Sequence, residues 1–375
     1  MNPHIEFESG KGKNNGGDAD ELRFVLSGVN VSLANAIRRT ILSDIPTVVF
    51  KTTPYELNKS KFIVNTTRQN NEILKQRLSC VPIHITDLEM PLQNYILEVN
   101  VENLTDTIQY VTTKDFKIKN VQTGDFLSEK DNLAIFPSND TTGYFIDFAR
   151  LRPKISDEIP GEKLQFTCEF SIGTAKEDAM FNVVSTCSYG FTVDDVAVEN
   201  ELSKKVKKWK EDKEDAEVEF EKKNWLLLEA KRIVKPDSFD FTIQSVGVIS
   251  NIDLVNKACS ILVDKLKKIA DLMDHDDLSI EPAENTMKNS YDIILVNEDY
   301  TIGKVLEYML YAKFFEGVKI LSYCGFKKMH PHDTQSIIRV AYKEKESAEP
   351  EVIKQHLHQC IIDAVGVFEK IAEKF

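Results

Sequence analysis

Two stretches far apart in the chain share one design, and that repeat restricts the possible folds more than any other feature. Leu22–Leu42 reads as a strand, a turn and a helix, and Tyr291–Leu310 reads the same way. Ser32 pairs with Thr301 as a hydroxyl near the helix start, Ala34 with Gly303 as a small residue, Ile37 with Leu306, and Ile41 with Leu310. Leu33, Ile37 and Ile41 recur at i, i+4 and i+8, which puts them on one helix face. Each copy is followed later by a long apolar-striped helix. One is expected at 252–273, carrying Val255, Cys259, Leu262, Leu266 and Ile269, and the other at 350–375, carrying Ile353, Leu357, Cys360, Ala364, Phe368, Ile371 and Phe375. Two strand–helix units in one chain point to an intramolecular pseudo-dimer whose like faces pack about an approximate two-fold axis.

Strand and turn signals fill in the rest. A strand is expected over His4–Ser9, then a Gly/Asn/Lys loop over 10–18. Asn30 or Ser32 can cap the first repeat's helix, and Asp44-Ile45-Pro46 ends it, because the residue before a proline is pushed out of the helical region. Residues 51–195 carry short strand-like runs such as 95–101 and 163–167 between Gly, Pro, Asn and Asp turns, so this part reads as β-rich. From Glu201 to Lys223 there are eight lysines and eight acids. Val206, Trp209, Ala216, Phe220 and Leu227 keep near-heptad spacing through that run, which predicts one long exposed helix at 201–227 with a narrow apolar seam. Both a solvated helix and a partner-binding helix fit this pattern. A strand is expected at 239–244, a polar linker at 277–289, then strand 291–296, helix 301–314 and strands 318–324 and 336–342.

The 375 residues carry a formal net charge of −13, which argues against a whole-surface nucleic-acid binder. The short basic clusters Arg150-Leu151-Arg152-Pro153-Lys154 and Lys327-Lys328 lack interleaved aromatics, so direct sequence-specific nucleic-acid reading is not expected. No apolar stretch is long enough for a membrane span, and the start, Met1-Asn2-Pro3-His4-Ile5-Glu6, lacks the pattern of a secretory signal. The six cysteines are scattered without a Cys-x-x-Cys pair and read as reduced thiols of an intracellular protein.

Catalytic and metal chemistry find little support. No phosphate-binding Gly-x-x-x-x-Gly-Lys-Ser/Thr loop occurs, and the acidic run 271–277 lacks the glycine-containing loop of a cation site. Cys324, His330 and His332 lie close in sequence, as do His356, His358 and Cys360. His356 and His358, two apart on a helix, face away from each other and cannot readily share one ion. Asn35, Arg38 and Arg39 point away from the apolar stripe, where a guanidinium fork can pair with carboxylates and carbonyls of a partner.

Several motifs carry a family resemblance. Asn35-Ala36-Ile37-Arg38-Arg39-Thr40-Ile41-Leu42-Ser43-Asp44-Ile45-Pro46 resembles the signature helix of the alpha-like subunit of multisubunit RNA polymerases: bacterial alpha, archaeal D or the eukaryotic third-largest subunit. Arg77-Leu78-Ser79-Cys80-Val81-Pro82-Ile83 is similar to the segment where that family's inserted domain begins. Pro160–Leu164 and Gly173–Ala179 resemble the insert's later strand and glycine loop, with Asp178 where the family usually has His. Asn297–Gly303 and Gly325–Pro331 resemble the smaller partner, archaeal L or the eukaryotic eleventh subunit. The order of motifs resembles a head-to-tail fusion of the two partners, as in large DNA viruses. The chain departs from the pattern at Lys304 and Glu307, where Asn and Arg are usual, and in lacking the paired cysteines of an insert metal centre.

The resemblance implies an α+β protein with two alpha-like dimerisation modules in an intramolecular pseudo-heterodimer and an inserted β-rich domain. The boundaries expected are 1–50 with 233–276 for the first module, 51–232 for the insert, 277–289 for the linker and 290–375 for the second module. It implies a non-catalytic assembly platform of a DNA-directed RNA polymerase. The partners would be the two largest subunits and a small accessory subunit, with no cofactor in this chain and magnesium in the large subunits. Asn35, Arg38, Arg39, Thr40, Arg77, Glu298, Asp299 and Thr301 are the candidate partner-binding residues. Leu33, Ile37, Ile41, Leu262, Leu266, Ile302, Leu306, Leu310, Leu357, Ala364 and Phe368 are the candidate dimerisation residues. The expected setting is inside a cell, in host cytoplasm or nucleus, with packaging in virus particles left open. A free-standing scaffold using the 201–227 helix and a hydrolase using Cys324 and His330 are the alternatives.

Overall fold

A computed structural model describes residues 1–7, 21–156, 158–212, 214–344 and 349–375. The expected Gly/Asn/Lys loop at 10–18 lies outside them, as does Ser9. The chain is α+β. In order it forms β1 (His4–Phe7), β2 (Glu21–Ser27), α1 (Val31–Ser43), β3 (Thr47–Val49), β4 (Ser60–Asn65) and α2 (Asn71–Ser79). Then come β5 (Tyr95–Glu102), β6 (Gln109–Thr112), β7 (Lys117–Asn120), α3 (Glu129–Ile135), β8 (Asp147–Leu151), β9 (Lys163–Glu169), β10 (Ser171–Gly173) and β11 (Val184–Val193). The remainder is α4 (Asp195–Asp212), α5 (Asp215–Leu227), β12 (Val234–Ser245), α6 (Asn251–Asp274), β13 (Ile280–Pro282), β14 (Ser290–Val296), α7 (Tyr300–Leu310), β15 (Leu321–Lys327), β16 (Gln335–Tyr342) and α8 (Pro350–Ala372).

Contacts divide the chain into two compact units. One holds residues 1–41, 186–244 and 251–375, and the other holds 42–185 and 245–250. The first unit contains two four-stranded sheets, ordered β1-β2-β12-β11 and β13-β14-β16-β15. In each, the second strand leads into a helix (α1 or α7) and the third leads into a long helix (α6 or α8). Sheet order and helix placement therefore repeat within one chain.

Local chemistry explains these elements. β2 alternates, with Leu22, Phe24 and Leu26 buried and their neighbours half-exposed, as a strand with one covered face requires. Gly28 follows at φ +74°, where a Cβ would meet the Asn2 carbonyl oxygen, so glycine alone fits this turn. Asn30 then caps α1, its Oδ1 accepting from the Ser32 amide at 2.9 Å. Asp299 does the same for α7, accepting from the Thr301 amide at 2.8 Å. α6 packs against α8, and both keep an apolar stripe buried, Leu254 to Met273 on α6 and Ile353 to Ile371 on α8. The last residue, Phe375, sets its ring 4.8 Å from Phe24 of β2 and 5.4 Å from Phe7 of β1. Phe24 in turn stacks on Phe241 of β12 at 5.0 Å. Edge-to-face and offset rings of this kind bury large apolar area.

The second unit is built on the sheet β4-β9-β5-β7, with β6-β8 and β3-β10 as two-stranded pairs. Phe116, Phe148 and Phe166 meet at centroid distances between 5.3 and 6.2 Å at the centre of its core.

Several expectations need correction. The 201–227 helix is two helices, α4 and α5, that pack against each other. Folding back resets the seam. Val218 and Trp225 are buried, with Lys205 over the Trp225 ring at 5.7 Å, while Phe220 is 70% and Leu227 65% exposed. These helices and β11 belong to the first compact unit, because β11 lies beside β12. The second unit accordingly ends at 185 rather than 232 and begins at 42 rather than 51. The expected linker 277–289 contains β13, which pairs with β14. The helix expected at 301–314 is α-helical only to Leu310 and continues as a π-helical turn, Tyr311–Gly317.

Candidate functional site

The apolar candidates share one fate. Leu33, Ile37 and Ile41 of α1, Leu262 and Leu266 of α6, Ile302, Leu306 and Leu310 of α7, and Leu357, Ala364 and Phe368 of α8 are all buried. Helical spacing puts each set on one face, and the four helices turn those faces inward. Gly303 lets α7 approach β15, since a Cβ there would collide with the Phe326 ring.

The polar candidates divide. Arg39 reaches from α1 to the start of α7, donating through Nε to Thr301 Oγ1 at 2.9 Å and through Nη2 to Asp299 Oδ2 at 2.9 Å. Asp299 thus serves two donors, the cap amide and a guanidinium, and Thr301 is itself buried. Glu298 lies 4.0 Å from Lys265 of α6, with both side chains largely shielded. These four candidates tie the chain to itself. Thr40 is fully buried, and its Oγ1 has no hydrogen-bond partner among the described residues, so it does not face outward. In the other unit, Arg77 donates to the backbone oxygens of Phe148 at 2.8 Å and Asp147 at 2.6 Å, which fixes α2 to β8.

Asn35 and Arg38 differ from these. They bond each other at 3.0 Å across one turn of α1 and stay half-exposed. Arg38 also lies near the buried Cys187, whose thiol burial pushes up to about 12. Lys304 and Glu307, where the chain departs from the expected pattern, form an ion pair one turn apart on α7.

The cysteine and histidine clusters show other roles. Cys324 donates its thiol to the Glu307 carbonyl at 3.6 Å, and burial pushes its pKa up to about 12. A thiol held protonated is a poor nucleophile. His330 accepts from the His332 amide at 3.2 Å. His356 meets the Tyr342 hydroxyl at 3.0 Å and packs 4.1 Å from the Phe314 ring, where burial lowers its pKa. Among the described residues no three His, Cys, Asp or Glu side chains are grouped to hold a metal ion. No helix among them is long and apolar enough to cross a membrane.

Sequence reasoning missed the Arg39 link. No local signal carries it, because its partners lie 260 and 262 positions away.

Comparison with known proteins bears on this arrangement. Residues 23–266 match the family described as the RNA polymerase Rpb3/Rpb11 dimerisation domain. The chain is 25% identical to DNA-directed RNA polymerase subunit Rpo3 of Thermococcus kodakarensis, over 67% of this chain and 96% of that one. It is 25% identical to subunit RPAC1 of DNA-directed RNA polymerases I and III of Homo sapiens, over 68% of this chain and 82% of that one. A protein of Acanthamoeba polyphaga mimivirus, named as DNA-directed RNA polymerase subunit R470, is 23% identical over 94% of this chain and 90% of its own length.

Proposed function

Because the chain belongs to the RNA polymerase Rpb3/Rpb11 dimerisation-domain family, we propose that it is the assembly platform of a DNA-directed RNA polymerase, with both dimerisation partners joined in one polypeptide. It is a non-catalytic subunit. The observation that carries the fused reading is the repeated sheet order with its matching helices, β1-β2-β12-β11 with α1 and α6, and β13-β14-β16-β15 with α7 and α8. The mimivirus relative, which covers nearly the whole chain, supports the same reading.

In this pseudo-heterodimer the two halves meet through α6 and α8, with Arg39, Asp299 and Thr301 clasping α1 to α7. Fusion holds the halves at high effective concentration, so they pair without any added contact. The half-exposed Asn35 and Arg38 form the surface that receives a large subunit, since a guanidinium beside an amide can meet carboxylates and carbonyls. The partners are the two largest polymerase subunits and a small accessory subunit, and the large subunits hold the magnesium that joins nucleotides. The complex works inside the cell, in host cytoplasm or nucleus.

The test is purification of the tagged chain from its native source, with mass spectrometry and a nucleotide-incorporation assay. Recovery of two very large subunits with RNA synthesis supports the reading. Recovery of the chain alone, or with unrelated proteins and no synthesis, overturns it. Arg38→Glu should cut recovery of a large subunit while leaving the chain folded.

A further inference from the structure

The second unit carries an arginine-lined hollow of about 610 Å³ whose lining includes Arg68, Arg77, Arg150 and Arg152 against the carboxylates Asp147 and Glu162. Four guanidiniums from three places in the fold converge there: the loop before α2, α2 itself, and β8 with the residue after it. In a chain of net charge −13 this is a local excess of positive charge.

Two of the four are locked. Arg77 is held by the Asp147 and Phe148 carbonyls. Arg152 is held by buried Glu162, whose Oε1 accepts from its Nε at 2.5 Å and whose Oε2 accepts from its backbone amide at 2.7 Å. Arg150 lies over the Tyr110 ring at 5.1 Å, a cation–π contact that helps to place its guanidinium. Arg68 is exposed on the loop. Arg150, placed by the Tyr110 ring, loses less entropy on meeting a carboxylate than an unanchored side chain would, and a guanidinium can grip a carboxylate with two parallel bonds.

Exposed aliphatic side chains sit on the segments tied to this hollow. Ile108 lines it, on a loop that Asn103 ties to β8 by donating to the Leu151 carbonyl at 3.0 Å. The Lys154 amide donates to Thr105 on the same loop at 3.3 Å, joining it to the segment that bears Ile155 and Ile159. Leu104 is 79% and Ile155 72% exposed, and Ile108 and Ile159 are exposed as well. A phosphate or a nucleic-acid backbone would gain nothing from these aliphatics, whereas a polypeptide would bury them. Arginine beside exposed apolar groups is the composition of a protein interface.

We propose that this face docks a segment of a partner polypeptide that bears carboxylates next to apolar side chains. The carboxylates would pair with Arg68 and Arg150, and the apolar residues would cover Leu104 and Ile108. The inference stands apart from the polymerase reading, because it requires a polypeptide of this chemistry and no particular complex.

The test uses the full chain and a fluorescently labelled peptide of alternating Glu and Leu. An all-Glu peptide and an oligothymidylate of equal length are the comparisons, all read by anisotropy. The Glu/Leu peptide should bind saturably and more tightly than either. Arg68→Glu with Arg150→Glu should weaken it at least about tenfold, and Leu104→Ser with Ile108→Ser should also weaken it, with the melting temperature unchanged. If the double charge reversal lowers the melting temperature, Arg68→Gln alone supplies the same reading, since Arg68 lies on an exposed loop. Equal or tighter binding of the oligothymidylate or the all-Glu peptide would overturn the proposal. So would absence of saturable Glu/Leu binding, or binding indifferent to the arginines.

Discussion

Arg39 and Asp299, 260 positions apart, lie 2.9 Å from each other, Nη2 to Oδ2, so that a cation on α1 meets the residue that caps α7. The same guanidinium donates to Thr301, in the first turn of that helix. Each half of the repeat thus contributes one side of the link. The position that pairs with Arg39 in the second copy is Tyr308, which carries no charge, so the clasp is not duplicated.

A double-mutant cycle measures what the clasp contributes. Arg39→Ala and Asp299→Ala should show a coupling of about 0.5–1 kcal/mol in thermal or urea unfolding, because both side chains are about a third exposed and solvent screens the pair. Asp299→Ala alone should cost more than Arg39→Ala, since it also removes the α7 cap. A coupling near zero would mean that the pair does not hold the helices.

Thr40 makes the opposite case. Its buried Oγ1 has no partner among the described residues, so Thr40→Val should leave stability unchanged or raise it by about 1 kcal/mol. A melting curve decides this. If Thr40→Val instead weakened assembly with other subunits while leaving the chain stable, Thr40 would be restored as a docking residue.

The helical hairpin offers a contrast on one helix. Trp225→Ala should loosen α4 and α5 together, with loss of helical circular dichroism and faster proteolysis there, because Trp225 is the large buried side chain between them and Lys205 covers its ring. Phe220→Ala should change stability by no more than about 0.5 kcal/mol. Equal effects would return the seam to Phe220 and Leu227.

Alkaline pH should destabilise the fold. Burial raises the pKa of Cys187, Cys259, Cys324 and Cys360 from 9.0 to about 12. The folded state therefore retains protons that the unfolded chain releases, so stability is complete below pH 9 and falls as pH rises from 9 toward 12. The slope should stay below about 1.4 kcal/mol per pH unit for each thiol. Denaturant titrations on either side of pH 9 check it, and a Cys259→Ala variant should show a shallower fall. Of the six thiols, exposed Cys80 should alkylate first in the native chain.

What could be read in the sequence was local. The stripes of α1, α6, α7 and α8 follow from apolar residues three and four apart, and these proved buried except Phe375, which lies past the end of α8 and is half-buried. The α1 cap and its stop before Pro46 follow from single residues. The break between α4 and α5 was not legible, because Glu and Lys form helix well and no glycine or proline marks the turn. Nor was β13, three residues ending in a proline that are strand only because β14 supplies hydrogen bonds. Of the outward polar residues on α1, periodicity distinguished Arg38 and Arg39 from the core. It could not say that Arg39 is committed to α7 while Arg38 stays half-exposed.

The most direct test of a platform made from one chain is its copy number, read by native mass spectrometry of the chain and of its purified complex. The account predicts a 42.7 kDa monomer in isolation and a single copy beside the two largest subunits. A homodimer, or a complex containing two copies, would mean that the two modules pair between chains, and would contradict it.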